Sequence, residues 1–426
     1  MKIKNFEQLA TTPQRTDALS ILDAGLSAID TRAVIQKTVF IEGGVLHAAD
    51  GLYTLSDFDR VRVVGVGKCS VEAVRTFEEV LGDVLTDGMA IDIVPGTSQT
   101  GRVSFFVGTH PLPTQANVDA TAKLLTFLDS CTSRDLVLVV ISGGGSTLLS
   151  QPPQSMMVSD EARLITSLMD EGATIQEMNT VRKHLSTARG GGLAQHAHPA
   201  TLVALIFSDV PGDDVSFIAS GPTVLDTTTA IDARTILKKY TIEHVSEYLI
   251  ETPKEKEVFE HTLNIVVVSN RVALEAMKKE AVARGYLAEI VTTTLTGEAH
   301  NIAQETLNRL HTALEKTVLL FGGETTVISE GPHGVGGRNQ EVVLAGFLDI
   351  RDGETLIACA SDGRDNTDIA GAIGDAVAQR RAHEQGISIE EHLASHNSFL
   401  FFEKVSSQII TGNTGSNVSD LIIALK

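Results

Sequence analysis

Glycine clusters adjoin basic or hydroxyl side chains at several places in the chain. The segment GVGKCS combines Gly65 and Gly67 with Lys68. Its glycines let backbone N–H groups approach an anion, and the Lys68 ammonium adds a positive charge, so the segment suits phosphate binding. It matches neither GxxxxGK[ST] nor GxGxxG, because Arg62 and Ser70 stand where glycines belong. A tight turn with a solvated lysine is therefore the alternative interpretation.

A second glycine cluster offers a stronger signal, because it contains three glycines in a row after a predicted buried strand. Consecutive glycines lose backbone entropy on folding and offer a concave row of N–H donors in return. The run therefore indicates close approach of a ligand, with packing against a neighbouring backbone as the alternative. Its residues are Ser142, Gly143, Gly144, Gly145 and Ser146. The later segment GGET repeats the pattern with Gly322, Gly323 and Glu324.

Three further basic side chains could hold an anionic ligand. Arg338 and Asn339 lie in the glycine cluster GVGGRNQE, where a guanidinium can fork onto phosphate or carboxylate oxygens. An ion pair with a nearby acid is the alternative for Arg338. Arg182 is expected on a helix, either as part of a solvated face or as an anion ligand. His110 precedes a proline in an extended loop, where it is either a satisfied loop histidine or a substrate contact.

Acidic residues cluster after two predicted strands, in SDVPGDD and SDGRDNTD. Asp209 at a strand end suits a general base or a Mg²⁺ ligand. Asp362, Asp365 and Asp368 lack the spacing of a calcium-binding loop, although Asp362 is kept as a metal-ligand candidate. Each of these residues could instead serve only to form its turn. The sequence contains no HExxH, GxSxG, kinase HRD set or CxxC, which excludes zincins, α/β-hydrolases and protein kinases.

The elements that position these residues alternate between strands and helices. Apolar runs without polar alternation predict buried strands, and Thr174 with Glu177 predicts a capping box for the helix that carries Arg182. This alternation predicts an α/β fold with a parallel, doubly wound sheet and function at the carboxyl ends of its strands. The predicted strands are RVRVVGVGK (60–68), DLVLVVISGGGS (135–146), TLVALIFSD (201–209), NIVVVSN (264–270), AEIVTTT (288–294), TVLLFGGET (317–325) and TLIACASDG (355–363).

The chain is too long for one ordinary core, because it has 426 residues and single cores stop growing near about 250 to 300 residues. The boundary is expected near 248–262, where the sequence is charged and weakly patterned. The predicted domains are therefore 1–250 and 251–426. The segment TGNTGSNVSD (411–420) is expected to return to the cleft or to the first domain.

Composition narrows the classes of partner. Lys+Arg 34 against Asp+Glu 54 gives a net charge of −20, which disfavours binding to nucleic acids and to anionic membranes. No apolar stretch is long enough to span a bilayer, and the first residues lack the apolar core of a signal peptide, so we expect a cytoplasmic protein. The 3 cysteines lie far apart, which suggests neither a disulfide framework nor a zinc site. Assembly into a homo-oligomer is left open.

Taken together, nine segments resemble those of the class II glycerate 2-kinases, whose C-terminal part is called the MOFRL domain. The segments are GVGKCS, THPLPT, ISGGGSTLL, MNTVRKHLS, SDVPGDDVSFIASGPT, FGGETTV, GGRNQE, SDGRDNTDIAGA and TGNTGSNVSDL, in the family's order. The resemblance implies transfer of the ATP γ-phosphoryl group to the 2-hydroxyl of D-glycerate, with Mg²⁺, to give 2-phosphoglycerate and ADP. It also implies a Rossmann-like domain and a smaller α/β domain with a mixed sheet.

The resemblance also assigns roles to residues. The family's key lysine corresponds to Lys68, its key arginine to Arg338 and the acidic residue of its SDV segment to Asp209. From the residue types themselves, we expect the glycine clusters, with Ser142, Ser146 and Glu324, to bind ATP. We likewise expect His110, Arg182 and Asn339 to contact the substrate.

Two segments depart from the family's pattern. Cys69 and Ser70 replace small alanine-like residues, and SDGRDNTDIAGA is one residue shorter than the usual loop, with Asn366 near a usual glycine. Two other functions stay open. One is reduction of hydroxypyruvate by NAD(P)H, against which GVGKCS lacks the third glycine of a dinucleotide fingerprint. The other is a non-catalytic module that binds small anions.

Overall fold

The structure, a computed structural model, describes residues 1–153, 156–328 and 334–426. Its strands are β1 (Val39–Glu42), β2 (Val45–Ala48), β3 (Gly51–Thr54), β4 (Arg60–Val66), β5 (Leu85–Asp92), β6 (Val103–Val107), β7 (Asp135–Ile141), β8 (Thr201–Phe207), β9 (Thr262–Val268), β10 (Leu287–Glu298), β11 (Thr317–Thr326), β12 (Thr355–Ala360), β13 (Gly371–Asp375), β14 (Gln408–Ile409) and β15 (Asp420–Leu425).

The α-helices vary from one turn to more than four. They are α1 (Phe6–Leu9), α2 (Pro13–Ala28), α3 (Thr31–Thr38), α4 (Ser70–Leu81), α5 (Gln115–Asp129), α6 (Gly145–Leu148), α7 (Val158–Asp170), α8 (Ile175–Lys183), α9 (Gly192–Ala197), α10 (Ala230–Lys239), α11 (Asn270–Ala283), α12 (Ala299–Thr312), α13 (Arg338–Gly346), α14 (Ala376–Glu384), α15 (Ile389–Ala394) and α16 (Ser398–Lys404). No helix in the described ranges is both long and apolar enough to cross a lipid bilayer.

The contacts divide the chain into two compact units, of which one comprises residues 31–267. Its six-stranded sheet has the order β6-β5-β4-β7-β8-β9. The pairs from β6 to β8 are parallel, and every residue of β7 is buried, as expected for a strand covered on both faces. The predicted Rossmann-like, doubly wound parallel sheet is thus confirmed. A separate antiparallel sheet of β1, β2 and β3 belongs to the same unit.

The order of the strands reverses between β4 and β7. From β4 the chain builds outward through β5 to β6, and it then returns so that β7 pairs with the other side of β4. In such sheets the crevice at the carboxyl ends beside a reversal is the usual place for a ligand. The loops that follow β4 and β7 carry Lys68 and the triple-glycine run.

Local sequence determines how the helices near this edge begin. Helix α8 has the predicted capping box: the Thr174 hydroxyl accepts from the N–H of Glu177, and the Glu177 carboxylate accepts from the N–H of Thr174. Helix α4 buries a continuous apolar face against the sheet, including Val74 and Phe77.

The second unit comprises residues 1–30 and 268–426. Its sheet has the order β10-β11-β15-β12-β13-β14, in which β10 and β11 are parallel and the remaining pairs antiparallel. The expected smaller α/β domain with a mixed sheet is therefore present. The last strand, β15, lies at the centre of this sheet between β11 and β12, so the end of the chain is part of the core.

This division differs from the expected domains 1–250 and 251–426 at both ends. Strand β9, expected in the second domain, is the edge strand of the first sheet. The first 30 residues belong to the second unit, because α2 packs against α11. At this contact a Cβ atom on Gly25 would lie only 2.6 Å from Cγ of Met277, so the glycine allows the two helices to approach closely. Neither feature follows from local pattern, because both depend on partners distant in sequence.

A buried ion pair holds α2 in the second unit, and we expect its loss to be costly. Arg15 is fully buried and donates from Nε (2.5 Å) and Nη2 (2.7 Å) to the Asp375 carboxylate. Asp375→Ala should lower the free energy of unfolding by about 3 to 5 kcal/mol, because it leaves a buried guanidinium without a counter-ion. Urea unfolding measures the change. The matched control is Glu79→Ala, which breaks the more exposed pair of Glu79 with Arg32 and should cost less than about 1 kcal/mol. Equal losses would contradict the prediction.

Candidate functional site

Three loops meet at the carboxyl edge of the parallel sheet. Strands β4, β7 and β8 are in register, with Val66 opposite Ile141 and Ile141 opposite Ile206. Because adjacent strands end at the same level, the loops that follow them lie side by side. They carry Lys68, the triple-glycine run and Asp209, which sequence analysis selected independently.

The turn after β4 does not present a row of free N–H groups. The N–H of Lys68 donates to the carbonyl of Gly143 (3.0 Å), and the N–H of Val71 at the start of α4 donates to the Asp92 carboxylate (2.9 Å). Asp92 is buried, and burial raises its pKa although backbone N–H groups stabilise the charged form. An anionic side chain thus already occupies the start of α4, and what this turn can offer a ligand is the Lys68 side chain.

The glycines of this turn are explained by packing. A Cβ atom on Gly65 would lie 2.7 Å from Cγ2 of Val74 on α4, and one on Gly67 would collide with the Ser142 hydroxyl. Beside them, Cys69 is buried, and burial raises its pKa to about 12. Its thiol is therefore neutral near pH 7 and does not suit a nucleophile.

The triple-glycine run is the better anion cradle. Among the described residues, no acceptor bonds the N–H of Gly143 or Gly144, whereas the N–H of Gly145 is bonded to Ser142. Gly144 has φ +82°, and a Cβ atom there would lie 3.1 Å from Cε of Lys68 and 3.3 Å from Cδ2 of His110. The side chains of Lys68 and His110 thus lie against this glycine, beside unbonded N–H groups.

Asp209 lies against the same loop from the other side. It follows the end of β8 by two residues and is half-buried. A Cβ atom on Gly143 would collide with Oδ2 of Asp209, so only glycine lets the carboxylate approach the loop this closely. The carboxylate thus lies against Gly143, next in sequence to the glycine that the Lys68 side chain approaches, and a carboxylate can serve as a general base or as a metal ligand.

Arg182 adds a second positive charge. Within the described ranges, no hydrogen bond or ion pair of its guanidinium is present, and burial, with the charge of Arg189, lowers the pKa of Arg182 to about 10. Burial, followed by the charges of Lys68 and Arg182, lowers the pKa of His110. Two cations that form no ion pair within the described residues thus act on one histidine, which is an arrangement that suits a carboxylate or phosphate ligand.

Sequence reasoning missed Asn179 and Ser220. Asn179 lies one turn before Arg182 on α8, and its Oδ1 accepts a hydrogen bond from the Ser220 hydroxyl (2.9 Å), which also contacts the Ser146 hydroxyl (2.9 Å). Ser220 gives no sequence signal of its own, because the Gly221-Pro222 pair that follows it already predicts a turn. The position of Asn179 three residues before Arg182 was the available clue.

In the second unit, Arg338 is held by acids. Its Nε and Nη2 donate to the buried Asp420 carboxylate (2.7 and 3.1 Å), and its Nη1 donates to Glu324 (2.6 Å). Burial opposes the charged form, but the hydrogen bonds and charge of Asp420 outweigh it, so the pKa of Arg338 is raised. Arg338 therefore forms ion pairs with nearby acids, as in the alternative interpretation of the sequence.

Two further predicted site residues of this unit are Asn339 and Asp362. Asn339 donates from Nδ2 to Asp420 (2.8 Å) and to the buried Asp365 (3.1 Å). Asp362 is half-buried, and its carboxylate accepts from the N–H of Arg364 within its own loop (2.9 Å).

The two glycines of GGET lie in β11, and packing accounts for both. A Cβ atom on Gly322 would collide with the amide of Asn270, and one on Gly323 would collide with the backbone of Leu295 in β10. Gly323 has φ +151°, which is also unfavourable for other residues. These glycines thus let β11 fit between its neighbours.

Comparison with known proteins identifies relatives across the whole chain. DUF4147, described as a domain of unknown function, matches residues 17–252, and the MOFRL family matches residues 317–420. Glycerate 2-kinase of Pyrococcus horikoshii is 39% identical, over 86% of this chain and 87% of that protein. A protein of Agrobacterium vitis named "putative hydroxypyruvate reductase" is 36% identical, over 85% of this chain and 86% of that protein. The crystal structure of glycerate kinase from Thermotoga maritima has a TM-score of 0.85 at 31% identity and covers 96% of this chain and 98% of that chain.

The pKa of His110 reports on the charges around the glycine run. Lys68→Met should raise the His110 pKa, because it removes a positive charge that opposes protonation of the ring. Binding of inorganic phosphate to the unaltered protein should raise it as well. NMR titration of the ring protons measures both shifts. Lys123→Met, which removes a lysine over the Phe106 ring instead, is the control and should leave the pKa in place. An unchanged pKa in Lys68→Met would show that Lys68 does not face His110.

Proposed function

The chain belongs to the glycerate 2-kinase family that combines DUF4147 and MOFRL regions, and we propose that it transfers the γ-phosphoryl group of ATP to the 2-hydroxyl of D-glycerate. The products are then 2-phosphoglycerate and ADP. One observation supports the proposal beyond family membership. Lys68, Arg182 and the carboxylate of Asp209 lie around the triple-glycine run, where the N–H groups of Gly143 and Gly144 have no acceptor among the described residues.

Phosphoryl transfer requires mainly positioning and neutralisation of charge, and the loop supplies both. The N–H groups of Gly143 and Gly144 donate to oxygens of the transferring group, while the Lys68 ammonium offsets its developing negative charge. The guanidinium of Arg182 suits the substrate carboxylate, because a planar fork matches two carboxylate oxygens. His110, whose pKa is lowered, approaches as a neutral ring and can hydrogen bond the substrate without adding charge.

Asp209 is proposed to orient the 2-hydroxyl and to accept its proton as the hydroxyl attacks. Its contact with Gly143 places the carboxylate beside the N–H groups that would hold the phosphoryl oxygens. A general base must lie within hydrogen-bond reach of the proton that it takes, and this position allows that.

Mg²⁺ is proposed to accompany ATP. Among the described residues there is no group of three His, Cys, Asp or Glu side chains that could hold a metal ion. That fits Mg²⁺, which commonly uses one or two carboxylates together with substrate phosphates and water. Asp209 is the carboxylate at this loop that could contribute a ligand, whereas Asp362 is bonded within its own turn. When bound, the ion neutralises charge on the phosphate oxygens.

Arg338 is proposed as a further phosphate ligand. Its partner Glu324 is more exposed than Asp420, with side-chain exposures of 51% and 1%, so Glu324 is the acid that an incoming phosphate would displace. Asp420 and Asn339 would then keep the guanidinium in place. This role depends on the family resemblance.

Identification of the product tests the proposed reaction. Incubation with Mg-ATP and D-glycerate should give ADP and 2-phosphoglycerate, which NMR distinguishes from the 3-phospho isomer. Lys68→Met should lower kcat/KM by at least about 100-fold, because it removes charge that opposes the transferring group. Lys123→Met is the control and should keep full activity. Formation of 3-phosphoglycerate would overturn the regiochemistry, and oxidation of NAD(P)H with hydroxypyruvate in place of kinase activity would overturn the reaction class.

The Mg²⁺ dependence of an Asp209 variant separates its two roles. Asp209→Asn keeps the shape of the side chain but cannot accept a proton, so kcat should fall by about 100-fold or more while the Mg²⁺ concentration for half-maximal rate stays the same. Rates measured over a range of Mg²⁺ concentrations show this directly. Recovery of activity at high Mg²⁺ would assign Asp209 to the metal, and full activity throughout would exclude both roles.

A further inference from the structure

One buried acid lies near Arg182 without pairing with it. Glu161 on α7 is 1% exposed, and its negative charge is one of the causes that act on the pKa of Arg182. Arg182 nevertheless forms no ion pair within the described residues. The other partners of the Glu161 carboxylate explain why.

Both oxygens of the Glu161 carboxylate already have a partner. Oε1 lies 2.6 Å from Nη2 of Arg189, a residue that is also 1% exposed. Oε2 accepts a hydrogen bond from the Ser150 hydroxyl (2.6 Å). Short contacts between a guanidinium and a carboxylate are among the stronger polar interactions in proteins. Arg189 and Ser150 therefore hold this carboxylate in place.

Arg189 lies beside Arg182. Its Nη1 donates to the backbone carbonyl of Arg182 (3.3 Å), and its charge is, after burial, the next cause that lowers the pKa of Arg182. Two guanidinium groups thus lie near a single carboxylate, that of Glu161. Of these two cations, Arg189 has the acid and Arg182 has none within the described residues.

The charge of Arg182 also reaches the glycine run. It lowers the pKa of His110, as the charge of Lys68 does, and the side chains of His110 and Lys68 both lie against Gly144. Arg182 is therefore within electrostatic reach of Glu161 and of the place proposed for the substrates. An anionic ligand at the glycine run and the Glu161 carboxylate are alternative partners for the same guanidinium.

Arg189 decides between these alternatives. A buried carboxylate that loses its counter-ion is costly, so it pairs with a nearby cation when one is available. Arg182 is such a cation for Glu161, because it has no acid of its own and already responds to the charge of Glu161. While Arg189 neutralises Glu161, the guanidinium of Arg182 stays available to a ligand.

We propose that Arg189 and Ser150 are positioning residues that hold Glu161 away from Arg182 and so keep Arg182 available for the carboxylate of the acceptor substrate. The inference rests on the proposed function, in which Arg182 binds that carboxylate. It adds that the affinity for the acceptor depends on which cation neutralises Glu161.

A single and a double variant test the proposal. Arg189→Met leaves Glu161 without its cation, so Glu161 should pair with Arg182, and the KM for D-glycerate should rise by at least about tenfold. In the double variant Glu161→Gln/Arg189→Met no charged acid competes, so this KM should return to within about twofold of its original value. In both variants kcat and the KM for ATP should stay within about twofold, because Arg182 binds the carboxylate equally in the ground state and the transition state.

Rescue by the second substitution separates this role from a structural one. If Arg189 only supported the fold, removal of its partner as well would leave the KM for D-glycerate raised, and kcat and the KM for ATP would change too. A double variant as impaired as Arg189→Met would therefore overturn the inference. An unaltered KM for D-glycerate in Arg189→Met would overturn it as well.

A milder variant covers the case in which Arg189→Met does not fold. Ser150→Ala removes the hydrogen bond to Oε2 of Glu161 and leaves Arg189 in place, so the KM for D-glycerate should rise about threefold at constant kcat. An unaltered KM in Ser150→Ala would then overturn the inference.

A matched control removes another buried guanidinium of the same unit. Arg62 is 2% exposed and pairs with Asp87 (2.7 Å). Arg62→Met should leave the KM values for D-glycerate and ATP unchanged. A rise in the KM for D-glycerate equal to that of Arg189→Met would make the effect a general one of losing a buried ion pair and would overturn the inference.

The unaltered protein separates this inference from the proposed function. If it phosphorylates D-glycerate and the variants do not follow the expected pattern, then only the inference about Arg189 and Ser150 is wrong. If it fails to phosphorylate D-glycerate with Mg-ATP, then the proposed function is wrong, and the inference is overturned with it.

Discussion

The parallel register of β4, β7 and β8 is the constraint on which the rest of the site depends. From Val63 to Val66 the residues of β4, and those paired with them in β7 and β8, are apolar, so a shift in register would remove buried side chains from their partners. With the register fixed, the loops after the three strands meet at one edge. Lys68, the triple-glycine run and Asp209 are then neighbours although about 140 residues of sequence separate the first from the last.

The ion pairs of the unit formed by residues 31–267 show which of its cations have a structural role. Lys183 is buried and paired with Asp226 (3.1 Å), and Arg189 is buried and paired with Glu161 (2.6 Å). Arg182 adjoins Lys183 in sequence and has no such pair within the described ranges. A cation left without a counter-ion near buried residues is costly unless a ligand supplies the charge. The chain as a whole has a net charge of −20, so the positive charges of Lys68 and Arg182 near the glycine run contrast with the overall charge of the protein.

Glycine has two different uses at this site. Gly65 and Gly67 make room for α4 and for Ser142, whereas Gly143 makes room for Asp209, and its own N–H has no acceptor among the described residues. The anionic carboxylate of Asp92 fills the start of α4, where phosphate binds in many nucleotide-binding folds. In the proposed reaction, phosphate is therefore expected at the loop after β7. In the turn after β4 the N–H groups of Gly67, Lys68 and Ser70 are already bonded within the described part of the chain, which does not favour binding of a dinucleotide there.

The sequence by itself predicted the fold class and seven of the strands, because these depend on local patterns such as the apolar run of β7. Local patterns also selected the residues of the proposed site, such as the glycines beside Lys68. Tertiary structure alone decided the rest. Strand β9 belongs to the sheet of the first unit, and helix α2 belongs to the second unit. Their positions in sequence did not predict this, because their partners are distant along the chain. The pairing of Arg338 with Asp420 and the contact of Ser220 with Asn179 likewise required distances in space. Which N–H groups are left for a ligand depends on which are already bonded, and only the folded chain specifies that.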